Sequence, residues 1–486
     1  MQSEVSVRQS SREVIAGRVS LSDEMAGADL GDARLNARRD RVIDVLEQQP
    51  ATGFPDACGS AAETEALYRF LRNPRVSLEA VIEPHLRATA DRCRSVGDVL
   101  VIHDTTENVF AGEKARPGLT PLGPRRHGFW LHTALAVSAD GLRAPLGVLG
   151  LAPYVRHPDP ARVTKPHWRE RFRDPAKESR RWVKGVGTVR QRLGAATRPI
   201  HLMDREGDNY ELLSDLVQHA DRFVVRLTYD RKLITTAASD APETVEAARP
   251  LTVLGEQTVT IAARQVGTRP RPLVARRPAR AARVATVSLA ASRVTLKRPR
   301  DHRAPLPSAL TVNVVYAVEK DPPAGESPLA WRLVTTEPIA SLEQVAQIVE
   351  WYRTRWLIEE FFKCLKTGCA YEKRQLESLE TLLVALALLA PVAWQLLLMR
   401  HLTRERPETP ATLALTARQL VVLRRTPAGR ALPTTTSIRD ALLAVARLGG
   451  HLRQNGEPGW LVLNRGMQKL LNMEAGWVAA TTCDQS

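Results

Sequence analysis

The chain has 486 residues, enough for two or three domains with a sizeable core. Lysine and arginine total 69 against 53 acidic residues, a formal net charge of +16, which points to a polyanionic partner: nucleic acid first, an anionic membrane surface second. Cys58, Cys93, Cys364, Cys369 and Cys483 are too few and too scattered for a disulfide scaffold, which excludes a cystine-stapled secreted fold; a reducing compartment is expected, and no pair has a usual zinc-ligand interval.

The opening residues MQSEVSVRQSSREVIAG lack an apolar run, so no secretory signal is expected there. DLGDARLNARRDRVIDVLEQQP predicts a helix with Leu35, Val42, Val45 and Leu46 on one side and Arg34, Arg38, Arg39 and Arg41 largely elsewhere. SAAETEALYRFLRNP predicts a second helix that stops at Asn73-Pro74. An ordinary surface-charged helix pair would look the same. In so basic a chain we read a small DNA-contacting unit, with Arg34 and Arg38 one turn apart and facing phosphates.

From about residue 98 the texture changes. The apolar run in DVLVIHDTTENVF predicts a buried strand with Asp104 at its exit. GFWLHTALAVSADG predicts the next strand, closed by an Asp-Gly turn, with residues 144–151 as its partner. In RPIHLMDREGDNYELL a short strand ends at Asp204 and a helix follows; RFVVRLTYDRK is another strand. Acids at the ends of adjacent strands are where α/β sheets place ligands. Residues 236–328 alternate short Val/Thr-rich pieces with Pro and Arg, which predicts a β-rich insertion with exposed hairpins. Between Gln257 and Arg300 stand eleven Lys or Arg residues and no acid. Such a run either tracks a phosphate backbone or is a basic loop without a fixed ligand.

LAWRLVTTEP is a further strand, and SLEQ then caps a long helix through Ser341 and Gln344. At about 100° per residue, Tyr352, Arg355, Glu359 and Lys366 of WYRTRWLIEEFFKCLK share one face of that helix. A solvated face laced with ion pairs is the plain alternative. TLLVALALLAPVAWQLLLM has nearly the length of a membrane span, but Pro391, Gln395 and close charged flanks favour a buried core helix; no membrane partner and a cytoplasmic location are expected. PGWLVLNRGMQKLLNMEAGW reads as a dimerisation helix with Leu461, Met467, Leu470 and Leu471 as apolar candidates, or equally as a packed terminal helix.

Two strand-end aspartates and a helix glutamate are the ligands that a two-metal phosphoryl-transfer site needs. Mg²⁺ is hard and oxygen-seeking and takes few protein carboxylates. Asp104, Asp204 and Glu359 are therefore the candidate catalytic and metal-binding residues, with Asp104 bridging two ions and the other two each holding one. A carboxylate-pair hydrolase such as a glycosidase fits poorly, because cations around Glu359 favour an anionic substrate.

HDTTENV around Asp104, MDREGDNYELL around Asp204, and Y-x2-R-x3-E-x6-K at Tyr352, Arg355, Glu359 and Lys366 resemble the DDE transposases of the insertion-sequence-four group. The likeness runs nearly end to end, through GDARLNAR, YRFLRNP, RFVVR, PLAWRLVTTEP and AVARLGG. It implies an α/β fold: an RNase H-like catalytic core over residues 78–405 with a β-rich insertion at about 236–328, an N-terminal helical DNA-binding domain over 1–77, and a C-terminal helical dimerisation region over 406–486. The implied activity is cut-and-paste transposition of double-stranded DNA by a homodimer. Its steps are nicking at the transposon end, a hairpin intermediate, and transfer of 3′ ends to target DNA, using two Mg²⁺ ions per site with Mn²⁺ able to substitute. Trp331 would stack on a flipped base, while Tyr352, Arg355, Lys366 and Arg226 would hold nearby phosphates. A catalytically inactive transposase-derived DNA-binding regulator is the alternative.

Overall fold

The structure, a computed structural model, describes residues 21–48, 52–112, 116–123, 125–155, 180–195, 197–234, 242–261, 263, 280–300, 306–452, 454 and 456–483. In chain order these form α1 (Leu21–Glu24), α2 (Ala33–Gln48), α3 (Phe54–Cys58), α4 (Ala61–Leu71), α5 (Leu78–Ser95), β1 (Val99–Ala111), β2 (Thr120–Gly123), β3 (Arg126–Ser138), β4 (Pro145–Tyr154), α6 (Arg180–Leu193), β5 (Ile200–Met203), α7 (Tyr210–Gln218), β6 (Arg222–Arg226), β7 (Gly255–Ile261), β8 (Arg283–Lys297), β9 (Ala309–Glu319), β10 (Ala330–Thr335), α8 (Leu342–Thr354), α9 (Leu357–Lys363), α10 (Leu379–Glu405), α11 (Ala417–Arg424), α12 (Ile438–Leu448) and α13 (Trp460–Cys483). The chain divides into two compact units, one of residues 1–165, 184–198 and 356–486, the other of residues 166–183 and 199–355.

In the first unit β1 pairs with β3 without a break, from Val99 opposite Ser138 to Ala111 opposite Arg126. Asp104 is thus mid-strand, opposite Thr133, and not at a strand exit as the sequence suggested. The apolar run covers only the half of β1 buried on both faces; from Thr105 onward burial alternates, and the polar residues there are the exposed side of a continuing strand. β3 also pairs with β4. Helices α5 and α10 pack on β4, and Ala90, Cys93, Val101, Ala136, Leu146 and Leu149 share one buried cluster. Helix α10 is long and apolar enough to cross a membrane by length and composition, yet 72% of its most apolar window is buried within the protein. Its Trp394 donates to the Pro145 carbonyl at 2.9 Å, as suits a core helix.

A charged network is sealed into this unit. Glu24 on α1 accepts from Arg92 at 2.7 Å and meets His85 Nδ1 at 2.6 Å, while His85 Nε2 accepts from the Val148 amide at 3.1 Å. Burial works to raise the Glu24 carboxyl, but Arg92 and His85 outweigh it and carry the group down to about 2. Burial also depresses His85 below the usual imidazole value.

The N-terminal helices differ from expectation at one arginine. Val42, Ile43 and Leu46 are buried on α2 as its periodicity predicts, but so is Arg39, which donates to the Ala28 carbonyl and pairs with Asp40. Near the other end of the chain, Leu470 and Leu471 of α13 are buried; Leu470 packs with Leu423, Ala441 and Val445, and Met467 lies against the same cluster. Three of the four apolar residues suggested for a dimer surface are therefore committed to this unit's own core. Leu461, 45% exposed, is the exception.

In the second unit the strand order is β5-β6-β10-β9-β8-β7. The β5–β6 pair is parallel, Met203 lying opposite Val225, and the others are antiparallel. Sequence pattern suggested short exposed hairpins over 236–328. Instead β8 and β9 are long and pair from Val287–Glu319 to Lys297–Ala309, with Val287, Leu289, Val314, Val315 and Ala317 fully buried. The arginines that broke the pattern sit at strand ends or on the exposed side; much of the basic run, residues 264–279, lies outside the described residues. Ser341 caps α8 as the capping box predicts, accepting from Gln344 N while the Gln344 side chain accepts from Ser341 N.

Candidate active site

The helix that gathers Tyr352, Arg355, Glu359 and Lys366 in the sequence is not continuous. α8 ends at Thr354, Arg355 and Trp356 form a turn, α9 runs from Leu357 to Lys363, and a π-turn follows over Cys364–Gly368, closed by Cys369 N to Cys364 O at 2.8 Å. A single 3.6-residue periodicity therefore does not carry through the motif. RTRW holds no Gly or Pro, so nothing in composition marked the break.

In the first unit, α9 packs against β1. Asp104 is buried, and its Oδ1 accepts from the Thr105 amide at 2.7 Å. Glu359, on α9, is partly buried. Lys366 donates to Thr106 Oγ1 at 2.8 Å and to the Glu107 carbonyl. Burial depresses its ammonium below the ordinary lysine value, and Glu372, Glu107 and Glu359 partly offset that. Asp104 and Thr106 lie two residues apart on one face of the strand, about 7 Å along it. Lys366 thus joins β1 on the face that carries Asp104.

In the second unit, Asp204 directly follows β5, as the sequence predicts, and caps a 3-10 turn by accepting from Glu206 N at 2.8 Å. The turn is staked by Asp208, whose buried carboxylate accepts from Thr228 N at 2.7 Å, Tyr229 N at 3.0 Å and Arg231 Nε at 2.6 Å. Sequence reading passed over Asp208 and Arg231; the acid four residues after Asp204 was the available signal. Trp331 on β10 is partly buried, its ring edge-on to Tyr352 at 5.4 Å between centroids. Tyr352 is itself buried. Arg226 donates to the Ala330 carbonyl at 3.1 Å; burial depresses its guanidinium, Tyr352 raises it, and Arg205 and Arg355 add repulsion. Three arginines converging on one tyrosine make a site suited to an anion.

The N-terminal arginines divide. Arg34 is exposed, whereas Arg38 is held by Glu63 at 2.6 Å, an acid that Arg41 also meets at 3.1 Å. The three candidate acids offer only carboxylate oxygen, the donor chemistry of a hard divalent cation. Among the described residues, no three His, Cys, Asp or Glu side chains are already grouped to hold a metal ion.

Residues 20–76 match a family model described as transposase DNA-binding, and residues 176–394 match one described as transposase DDE domain. The second span includes Asp204 and Glu359 and begins after Asp104. A solved cryo-EM structure of the piggyBac transposase synaptic complex with hairpin DNA is similar at 10% identity and a TM-score of 0.36, covering 82% of this chain and 72% of that one; a likeness at that score carries no weight here. The chain carries a transposase DNA-binding domain followed by a transposase DDE domain, the components of a metal-dependent, DNA-cutting transposase.

Proposed function

We propose that the protein is a cut-and-paste transposase of the insertion-sequence-four group, with Asp104, Asp204 and Glu359 as its catalytic carboxylates. The observation that carries this reading is the DDE-domain match spanning Asp204 and Glu359. The cation-rich surroundings of Tyr352 and of Lys366 support it. The three acids would hold two Mg²⁺ ions, with the DNA completing the assembly; such ions, when bound, activate a water or 3′-hydroxyl and stabilise the leaving oxygen. Arg226, Arg355 and Lys366 would bind phosphates beside the cut, and Trp331 would turn outward to stack on an extruded base, worth roughly 1 to 3 kcal/mol. A homodimer acting through a hairpin intermediate is the form we assign.

Incubation with DNA bearing the ends of the protein's own element, with Mg²⁺ or with chelator, tests this on a denaturing gel. Asp104→Asn, Asp204→Asn and Glu359→Gln should each cut cleavage by about a hundredfold or more while end binding persists. Trp331→Ala should depress hairpin formation more than the first nick. Binding without cleavage under any divalent ion would return the chain to a DNA-binding regulator. Cleavage indifferent to all three carboxylates would sink the assignment.

A further inference from the structure

Lys366 has more partners in the free protein than phosphate binding requires. Besides Thr106 Oγ1 and the Glu107 carbonyl, its ammonium lies 3.5 Å from Glu372 Oε1. An ammonium has three protons, and three acceptors surround this one. The same Glu372 oxygen accepts from the Val109 amide at 3.0 Å, so one carboxylate ties both the strand and the lysine.

The mount beneath Glu372 is stiff. It sits in a 3-10 turn, Tyr371–Lys373, entered through Ala370 at φ 49°. Tyr371 before it is fully buried, its hydroxyl donating to the Leu382 carbonyl at 2.8 Å and its ring edge-on to Phe110 of β1 at 5.5 Å. Arg374 after it is buried, donates to the Cys369 carbonyl at 2.9 Å and lies over the Phe54 ring at 4.5 Å. A carboxylate held on both flanks by core residues can fix a flexible four-carbon side chain that would otherwise sample many rotamers.

We propose that Glu372 is a positioning residue: it presets the Lys366 ammonium against β1, on the strand that carries Asp104, and so governs how fast bound DNA is cut, not how tightly it is held. This rests on the transposase reading. Preset charge needs no reorganisation when the transition state forms, whereas a lysine free to swing binds phosphate about as well but arrives out of place.

Glu372→Gln keeps the acceptor for Val109 and removes the charge that faces Lys366. It should slow single-turnover cleavage of bound end DNA about tenfold or more, with end affinity within about twofold of wild type. In a Lys366→Met background the same change should slow cleavage no further, and Glu372→Asp should recover part of the rate. Equal slowing with and without Lys366, or no slowing at all, would overturn the proposal. Should Glu372→Gln unfold early in a thermal melt, Thr106→Val removes another Lys366 acceptor and should show the same dependence on Lys366; additive effects there would also overturn it. Acylation of Lys366 by an N-hydroxysuccinimide ester, read by mass spectrometry, needs no cleavage. It should run severalfold faster in Glu372→Gln, and equal rates would refute the clamp even if wild-type protein proved unable to cut DNA.

Discussion

Asp104 and Asp204 are held in place by opposite means. Asp104 lies midway along a strand paired residue by residue from Val99 to Ala111, with Ile102 and His103 fully buried just before it. Its position is the sum of many backbone hydrogen bonds. Asp204 follows a four-residue strand and stands on a turn whose far end is pinned by one buried pair, Asp208 with Arg231. A carboxylate placed by a ladder tolerates a local lesion. One placed by a single pin does not.

The largest effect should come from pulling that pin. Asp208→Ala strands a buried guanidinium and two amides, and should cost about 3 to 5 kcal/mol of stability. Cleavage should fall with it, and chemical denaturation with a cleavage assay checks both; a loss under about 1 kcal/mol would mean the turn is held by something else. The next effect belongs to the first unit and is set by pH. Its Glu24 carboxyl is depressed to about 2 in the fold, and His85 is depressed below its usual value, so in both cases the unfolded chain binds more protons in acid. Stability from Glu24 is fully present above the ordinary carboxyl value near 4.5 and lost as pH falls to about 2; the His85 contribution begins to fade below about 6.5. The Glu24 share is about 3 kcal/mol, and hydrogen exchange in acid should show α1, α5 and β4 opening first. The smallest effect sharpens the contrast beside Asp104. Thr105→Val removes the 2.9 Å bond between Thr105 Oγ1 and His132 Nδ1, and should cost about 1 to 2 kcal/mol in a melt while leaving cleavage near wild type.

Local signals were the legible ones. IHLM followed by DREGD marks a strand, its end and the turn beyond, and β5, Asp204 and the 3-10 turn fall there. Ser341 and Gln344 announce the start of α8 because both capping bonds are made within four residues. The strand boundary at Asp104 was misplaced because burial on β1 changes from two-sided to one-sided at that point, and polar residues on a half-exposed strand look like a loop. Glu372 was passed over for a different reason: its partner Val109 is 263 residues away, and spacing carries no record of a contact made only after folding. Arg39 looked like its neighbours and is buried because the Ala28 carbonyl needs a donor. Surface and core arginines share one letter, and only the tertiary partner tells them apart.

The wide turn at Cys364–Gly368 makes the length of this segment as constrained as its chemistry. It accommodates one residue more than an α-turn, so deleting a single residue there would let the backbone rewind as ordinary helix and swing whatever follows by about 100°. Lys366 would then leave β1 while every side chain of the motif was still present. A homologue one residue shorter between Glu359 and Tyr371 should therefore lack this lysine latch, however well its letters matched.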